Sequence, residues 1–376
     1  MPQEKIHVVL VSSWYPNKYQ PFVGNFVQRQ AILLATIHQV TVLHTVSHPD
    51  ETEFRLEKKV SGNLTELIVY HPRKKSPVSK YAMQRRALKY SLEGVEATDL
   101  LISHVILPKG LQFVELKKEL KCPWVHIEHG SYFRREYWKS LSFLQKTLIR
   151  RTMHRIEHFY AVSETLKREI LEHFPQKEIG ILPNHIDTDL FKFAPKKETE
   201  IKKFLHISTL EEKTKNPQGM IDACKILFDK GILNFHLTII SDESTQKWED
   251  YAISLKLDNQ ISFDGPFDWE DLPQWYQQSD AFILNSHYET FSIVIAESWA
   301  TGTPVLSTPV GIASKLPTSL GLQTKANDPE NLADAMESII KNEHTYDHET
   351  IRASGEKYSA DRVLEQLQEI IALYVD

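Results

Sequence analysis

The sequence has few cysteines and no long hydrophobic run. Its 376 residues include two cysteines, Cys122 and Cys224, which lie about a hundred positions apart. Such usage argues against a disulfide framework and is typical of a reducing cytosol. The apolar run at residues 6–11 contains His7, and no later run approaches the ~18 apolar residues of a membrane span. We therefore expect a cytoplasmic protein without a signal peptide or a membrane-spanning helix.

Several common motifs for nucleotides, nucleic acids and metals are missing as well. The chain contains neither G-x-G-x-x-G nor a P-loop lysine, so dinucleotide and ATP binding lose support. No nucleic-acid-binding motif accompanies the basic residues at 73–89, and we expect no nucleic acid partner. The tripeptide Asp187-Thr188-Asp189 resembles a metal-binding D-x-D, but it falls in a predicted linker without partner carboxylates. We predict no metal and no cofactor.

Length and charge indicate two domains. A chain of 376 residues with 41% hydrophobic and 25% charged residues is long for a single core. Residues 1–190 carry 27 Lys and Arg against 20 Asp and Glu, whereas the remainder carries 17 against 30. A basic first half and an acidic second half suggest domains with different partners. Short apolar runs alternate with helical patterns throughout, which predicts α/β sheets.

The stretch from 279 to 308 carries the most information. It predicts a buried strand at 281–284, a polar loop, a helix at 291–300 that Gly302 ends, and a second strand at 305–307. In a parallel sheet the N-terminus of such a helix is a ready anion site. Two carboxylates, Glu289 and Glu297, lie beside it and would repel phosphate, so they are better suited to accept hydrogen bonds from sugar hydroxyls. A nucleotide sugar needs this arrangement.

The first half offers a glycine loop and a histidine at strand ends. Gly24 and Asn25 stand between a strand at 6–11 and a helix at 26–38, so the loop either approaches a ligand or is a plain turn. His129 follows a strand at 124–127, where parallel strands present their ligand-binding ends. A lone histidine is more often structural than catalytic, although a place at the strand end is suited to reach a cleft.

Two basic segments leave two interpretations open. The segments at 73–89 and 133–155 could meet an anionic surface, the second as an interfacial amphipathic helix with aromatic residues. The equal alternative is that the first segment is a solvated face and the second is a helix that covers a cleft.

The second half resembles a known enzyme family. Glu289 and Glu297 at E-x7-E spacing, followed by Thr301-Gly302-Thr303-Pro304-Val305, resemble the donor-site signature of retaining GT-B glycosyltransferases of the family-4, or group 1, kind. The resemblance implies two Rossmann-like β/α/β domains facing a central cleft. Residues 1–187 would form the acceptor-side domain, 188–357 the donor domain, and a closing helix within 358–376 would return to the first domain.

The resemblance also implies roles for individual residues. Lys215 matches the lysine that binds the donor diphosphate, and Thr209 stands where the family has an arginine. Either Lys213 supplies the second charge as a substitute cation, or phosphate binding is weaker. Glu289 would bind the transferred sugar, Glu297 the ribose, and His129 would orient the sugar. The other residues implied in the site are Gly24, Thr290, Phe291, Ser292 and Ile293 on the donor side, and Asn25 and His104 on the acceptor side. Ser292 replaces a family glycine.

By this resemblance the chain moves a hexose from a UDP- or GDP-sugar to a glycan or lipid-linked acceptor, in polysaccharide or glycolipid synthesis. The enzyme would be retaining and metal-independent, and would work in the cytoplasm or on the inner face of the membrane. Two alternatives stay open: a sugar-nucleotide enzyme without a polymer acceptor, similar to a 2-epimerase, and a catalytically weak nucleotide-sugar binder. The departures at Thr209 and Ser292 motivate the second.

Overall fold

The computed structural model describes residues 5–195 and 199–375. These residues form two compact units. Unit 1 comprises the described residues up to Asn184 together with those from Val363 onward, and unit 2 comprises His185–Arg362. Residues 1–4 and 196–198 of the two predicted domains, and residue 376 of the predicted closing segment, lie outside the described residues.

Unit 1 alternates strands and helices. Its elements are β1 (His7–Ser12), α1 (Asn25–Leu34), β2 (Gln39–His48), β3 (Arg55–Ser61), β4 (Leu64–Pro72), α2 (Pro77–Ser91), β5 (Leu100–His104), α3 (Gly110–Leu120), β6 (Trp124–Glu128), α4 (Arg135–Ser140), α5 (Phe143–Met153), β7 (His158–Ala161), α6 (Glu164–His173) and β8 (Gly180–Ile181). They build one eight-stranded sheet in the order β3-β4-β2-β1-β5-β6-β7-β8. All neighbouring strands are parallel except β3 and β4.

The centre of this sheet is covered on both faces. Val8, Val9 and Leu10 of β1 are all fully buried, which explains why the strand reads as a continuous apolar run without alternation. The C-terminal segment also belongs to this unit, because Tyr374 stacks on His158 of β7 with ring centroids 3.4 Å apart. The return of the closing helix to the first unit is thus observed.

Unit 2 is a smaller sheet of the same type. Its elements are β9 (Lys202–Ile207), α7 (Glu212–Lys215), α8 (Pro217–Asp229), β10 (Phe235–Ile240), α9 (Gln246–Ser254), β11 (Ile261–Asp264), α10 (Pro273–Gln278), β12 (Ala281–Leu284), α11 (Ile293–Ala300), β13 (Val305–Ser307), β14 (Gly321–Gln323), α12 (Pro329–Ile340), α13 (His348–Gly355) and α14 (Ala360–Ala372), the last continuing into unit 1. Six parallel strands follow the order β11-β10-β9-β12-β13-β14. The predicted α/β architecture with two sheets is confirmed.

Two features of unit 1 differ from the sequence prediction. The hairpin of β3 and β4 was missed, because β3 is exposed along its length and shows no apolar run. Its Gly62-Asn63 turn, with Gly62 at φ 58°, was the available signal. The aromatic segment at 133–155 is two helices rather than one, because Leu141 is extended and Ser142 starts α5 with a capping box to Gln145.

Candidate active site

The site in unit 2 is built around the loop between β12 and α11. The loop leaves the carboxyl end of the buried strand β12, and Asn285 and Ser286, which follow the strand, are themselves buried. The first turn of α11 starts at Ile293, two residues later than predicted, because Ser292 adopts a left-handed backbone (φ 77°, ψ 72°) and serves as the N-cap. Gly302 has φ 72° just after the helix, as its sequence position predicted.

Lys215 and Glu289 are paired. The Lys215 Nζ lies 2.6 Å from Glu289 Oε1, and both side chains are largely buried. The backbone N–H of His287 donates to the carbonyl of Thr214 at 2.7 Å, which ties α7 to the β12–α11 loop. Ser286 Oγ donates to Glu289 Oε1 at 2.8 Å. The structure thus brings together the residues predicted to bind diphosphate and sugar, although they are 74 positions apart.

Thr209 and Lys213 are exposed, unlike the paired side chains of Lys215 and Glu289. Thr209 lies in the loop after β9, and Lys213 lies on α7. Residues two apart on a helix point to different faces, so Lys213 does not share the face of Lys215. The role of Lys213 as a substitute cation stays a prediction.

Glu297, on α11, is almost fully buried, with 3% of its surface exposed. Trp269 Nε1 donates to Oε1 at 3.0 Å, and Tyr276 OH donates to Oε2 at 3.0 Å. The sequence analysis missed Trp269 and Tyr276, and nothing in their spacing points to Glu297. The predicted contact of Glu297 with the ribose stays a prediction.

Ser292 is held in a strained position. Its buried Oγ has no hydrogen-bond partner among the described residues. Gly311 lies against it, and a Cβ there would come within 2.6 Å of that oxygen and 2.3 Å of the Phe291 carbonyl oxygen. The close approach explains why residue 311 is a glycine. Phe291 is buried and packs edge-on to Tyr358, whereas Thr290 and Ile293 stay half-buried at the mouth of the loop.

In unit 1, the two predicted histidines meet. His104 at the end of β5 and His129 just after β6 are buried, with His104 Nδ1 3.0 Å from His129 Nε2. The ring of Phe26 stacks on His129 with centroids 4.5 Å apart. Burial lowers the pKa of His129 to about 3, against the opposing charge of Glu128, and burial also lowers the pKa of His104. Both rings are therefore neutral at physiological pH, and His129 is suited to hydrogen bonding rather than to charge.

Glu128 anchors this pair. Its Oε1 accepts from the backbone N–H groups of His129 at 2.9 Å and Gly130 at 2.7 Å, while Oε2 accepts from Tyr132 OH and lies 3.3 Å from His126 Nε2. Burial alone would raise the pKa of Glu128, but its bonds with His126, Tyr132 and Gly130 outweigh burial and lower it. A buried carboxylate therefore fixes the backbone that carries His129. The sequence analysis gave it no role.

Gly24 and Asn25 form the start of α1. Gly24 has φ 74°, and a Cβ there would approach the backbone of Trp14 and Tyr15 within 2.8 Å. Asn25 is the first residue of the helix, directly before Phe26. The close backbone approach by itself accounts for the glycine, so its predicted contact with the donor stays a prediction.

Neither a metal cluster nor a membrane span is found in the part of the chain that the structure describes. Across residues 5–195 and 199–375, no three His, Cys, Asp or Glu side chains are grouped so as to hold a metal ion. Over the same residues, no helix combines the length and apolarity that crossing a bilayer requires.

Comparison with solved structures defines the class of protein. The chain is similar to sucrose-phosphate synthase from Thermosynechococcus elongatus, with a TM-score of 0.76 and 16% identity over 98% of this chain and 99% of that one. It is also similar to Anabaena HepE in complex with UDP and glucose, with a TM-score of 0.72 and 14% identity over 98% and 100%. The two Rossmann-like units therefore form a GT-B fold.

Sequence comparison identifies the family. The model for Glycosyl transferases group 1 matches residues 187–357, and that for Glycosyltransferase Family 4 matches residues 23–190. The two models, both of glycosyltransferases, together match residues 23–357, so the chain is a glycosyltransferase. It is 30% identical to D-inositol 3-phosphate glycosyltransferase of Frankia alni over 95 residues, 25% of this chain and 23% of that relative. It is 20% identical to the uncharacterized glycosyltransferase MJ1178 of Methanocaldococcus jannaschii over 370 residues, 94% of each chain.

Proposed function

We propose that this glycosyltransferase moves a hexose from a UDP- or GDP-sugar to a hydroxyl group of a glycan or lipid-linked acceptor, with retention of configuration at the anomeric carbon. The product would enter cell-surface polysaccharide or glycolipid synthesis. The ion pair of Lys215 with Glu289, beside the N-terminus of α11, carries the proposal. In this proposal the pair would set a cation for phosphate and a carboxylate for sugar hydroxyls next to each other.

The chemistry follows from where charge develops. Transfer breaks the bond between the anomeric carbon and the β-phosphate oxygen, and the electron pair leaves with the nucleoside diphosphate. The acceptor hydroxyl oxygen bonds to the anomeric carbon on the same face, and its proton passes to the departing β-phosphate oxygen. Lys215 and the positive end of the α11 dipole would stabilise that negative charge. Glu289 would accept hydrogen bonds from the transferred sugar, and Glu297, oriented by Trp269 and Tyr276, those of the ribose. His129, neutral and fixed through Glu128, would hydrogen-bond the sugar.

Support for the donor class comes from the relatives. The HepE structure contains UDP and glucose, which favours a UDP-sugar between the two nucleotides. Because lysine and helix dipole would supply the positive field at the diphosphate, we propose that transfer needs no metal. A lipid-linked acceptor would bring the chain to the inner face of the membrane through the basic unit 1.

The test is a panel of nucleotide sugars scored by thermal shift, since a bound ligand stabilises the fold by mass action. The donors that bind are then incubated with and without acceptor sugars and with chelator. We expect a UDP- or GDP-hexose to stabilise the protein and to yield a glycosylated product with chelator present. The assay is repeated with Lys215→Ala. Its matched control is Lys203→Ala, which removes a lysine near the start of β9.

Three results would contradict the proposal. Release or epimerisation of the sugar without acceptor would favour the epimerase-like alternative. Binding without turnover in any acceptor screen would favour the catalytically weak binder. Activity lost with chelator and restored by a divalent cation would contradict metal independence.

A further inference from the structure

The sheet of unit 1 ends in an exposed strand. β3 (Arg55–Ser61) is the outermost strand, and in the described part of the chain β4 is its single neighbour. All of its residues are exposed, and its register with β4 runs from one end to the other without a bulge. Folded proteins usually shield such an edge with a bulge, a proline or a covering element, because its free backbone groups can pair with another strand. β3 contains no proline, so its outer edge is open to a partner.

The turn after β3 determines which backbone groups point outward. Gly62 and Asn63 form a two-residue turn, and Ser61 lies opposite Leu64. The pair that closes such a turn exchanges both backbone hydrogen bonds, and hydrogen-bonded pairs then alternate along the two strands. The odd-numbered residues of β3 therefore bond to β4. The even-numbered residues point their N–H and C=O groups away from β4: Leu56, Lys58 and Val60.

Apolar and charged side chains lie on opposite faces of β3. Leu56 is 38% and Val60 is 60% exposed, and they share one face. Glu57 and Lys59 lie on the other face, where Arg55 Nη1 is 3.8 Å from Glu57 Oε2 and Lys59 Nζ is 3.9 Å from Glu66 Oε2. Exposed ion pairs at such distances contribute little to stability. Both charges can therefore meet a partner strand.

The order of these residues is complementary to itself. When a second β3 lies antiparallel about a two-fold axis at Lys58, Leu56 of each copy lies opposite Val60 of the other. Glu57 of each copy then lies opposite Lys59 of the other. The outward N–H and C=O groups of the two strands also face each other and can bond. Lys58 meets its own copy at the axis, and this like-charge pair weakens the association.

The other registers fit less well. Because outward-pointing residues must face each other, the axis passes through a residue and not between two residues. An axis at Glu57 sets Arg55 against Lys59, which repel each other. An axis at Lys59 sets Val60 against Lys58, an apolar side chain against a charge. An axis nearer either end of the strand pairs less than half of it.

We infer that β3 pairs with β3 of a second copy of this chain, so that the two copies share one continuous sheet. The dimer has two-fold symmetry, and each strand supplies the complement that the other requires. A partner of another sequence would not need β3 to be complementary to itself. Two strands of this length bury little surface, so we expect a Kd in the micromolar range.

Sedimentation equilibrium of the full chain, at about 1 to 200 μM, measures the dimer. Glu57→Lys and Lys59→Glu each place like charges opposite each other across the interface. An equimolar mixture of these two variants restores opposite charges in a heterodimer. Glu343→Lys, which reverses an exposed charge of unit 2, is the matched control. Urea denaturation shows that each variant is folded.

Two further variants test the backbone and the apolar contacts. Lys58→Pro removes an outward N–H that the hairpin does not use. It also removes the like charge at the axis, which by itself would strengthen the dimer, so weakening reports the lost hydrogen bonds. Leu56→Gln/Val60→Gln removes the apolar contacts. Its control, Leu233→Gln/Ile253→Gln, removes exposed apolar side chains of unit 2.

We expect the unmodified chain and both controls to dimerise with the same affinity. Each variant in β3 should weaken the dimer roughly ten- to a hundredfold, and the mixture should restore the affinity to within about threefold. If Lys59→Glu does not fold, because Glu66 lies beside it, the other variants still decide.

Three results would overturn the inference. The first is a monomer at every concentration. The second is a dimer that every folded variant in β3 forms as tightly as the unmodified chain does, since the interface then lies elsewhere. The third is a pair of folded charge reversals that both weaken the dimer but do not associate when mixed, which would contradict the register.

Discussion

Lys215 Nζ lies 2.6 Å from Glu289 Oε1, so the cation predicted to bind the diphosphate and the carboxylate predicted to bind the sugar hold each other in place. Ser286 Oγ donates to the same carboxylate oxygen. Because the two charges are already paired and largely buried, the donor would meet side chains with little freedom left to lose. Such preorganisation favours tight positioning of the reacting groups.

The first prediction concerns Lys215. Lys215→Ala should lower kcat by about a hundredfold or more, because its charge acts on the leaving group, while the affinity for the free nucleoside, which carries no diphosphate, falls much less. Steady-state kinetics and calorimetry measure the two effects, with Lys203→Ala as the control. If Lys215→Ala keeps full activity and Lys213→Ala loses it, the phosphate-binding role belongs to Lys213.

The second prediction separates two roles of Glu297. Glu297→Ala should weaken nucleotide-sugar binding by about 2 kcal/mol and should also lower the free energy of unfolding by about 2 kcal/mol, because Trp269 and Tyr276 lose a buried acceptor. Tyr276→Phe should cost stability but leave affinity nearly intact. Calorimetry and urea denaturation measure both quantities. Unchanged affinity in a folded Glu297→Ala protein would show that the carboxylate is structural only.

The third prediction concerns the strained helix start. Ser292→Gly should raise the free energy of unfolding by about 1 kcal/mol, since glycine adopts φ 77° without strain and removes a buried hydroxyl that lacks a partner. The control is Ser298→Gly inside α11, which should destabilise by about 2 kcal/mol, because it adds the helix cost of glycine to the loss of the buried hydrogen bond from Ser298 Oγ to the Thr303 carbonyl. Urea denaturation compares the two. A destabilised Ser292→Gly variant would mean that the hydroxyl is needed by the fold.

The fourth prediction is a pH dependence of stability. The pKa of His129 is lowered to about 3 by burial, so the unfolded chain binds the proton first as the pH falls below about 6.5. Stability therefore declines from that pH downward, by about 2 kcal/mol at pH 5 for this one group. Urea denaturation at pH 7 and pH 5 should show a smaller decline for His129→Asn. An equal decline in both proteins would mean that His129 takes up its proton in the folded state.

The fifth prediction concerns the membrane. Tyr137, Phe143 and Leu144 are exposed among basic residues of α4 and α5, whereas Phe133 and Trp138 of the same segment are buried. We expect the chain to sediment with anionic but not neutral vesicles, because each nearby basic residue contributes about 1 kcal/mol at low salt.

Two triple variants test that expectation. Arg134→Gln/Arg135→Gln/Lys139→Gln should abolish sedimentation, and added salt should do the same by screening. Lys58→Gln/Lys118→Gln/Lys203→Gln, with the same loss of charge elsewhere, should leave it intact. Failure of the unmodified chain to bind any vesicle would leave an acceptor in solution as the alternative.

The sequence by itself determined the α/β architecture and the segment around Glu289. Short apolar runs bounded by loops define buried parallel strands, and Gly302 ends a helix where only a left-handed residue fits. These signals are local, because each depends on the residues within one element. The exposed strand β3 carried no such signal, and the break at Leu141 depends on one extended residue.

Only the tertiary structure decided which side chains meet. The pairs Lys215 with Glu289 and His104 with His129 span 74 and 25 positions, and strand order in the sheets brings them together. The same holds for Ser292, whose unpartnered hydroxyl becomes significant only once burial removes water from it. Side-chain contacts and burial depend on how the chain packs, and the spacing of residues along the sequence does not predict them.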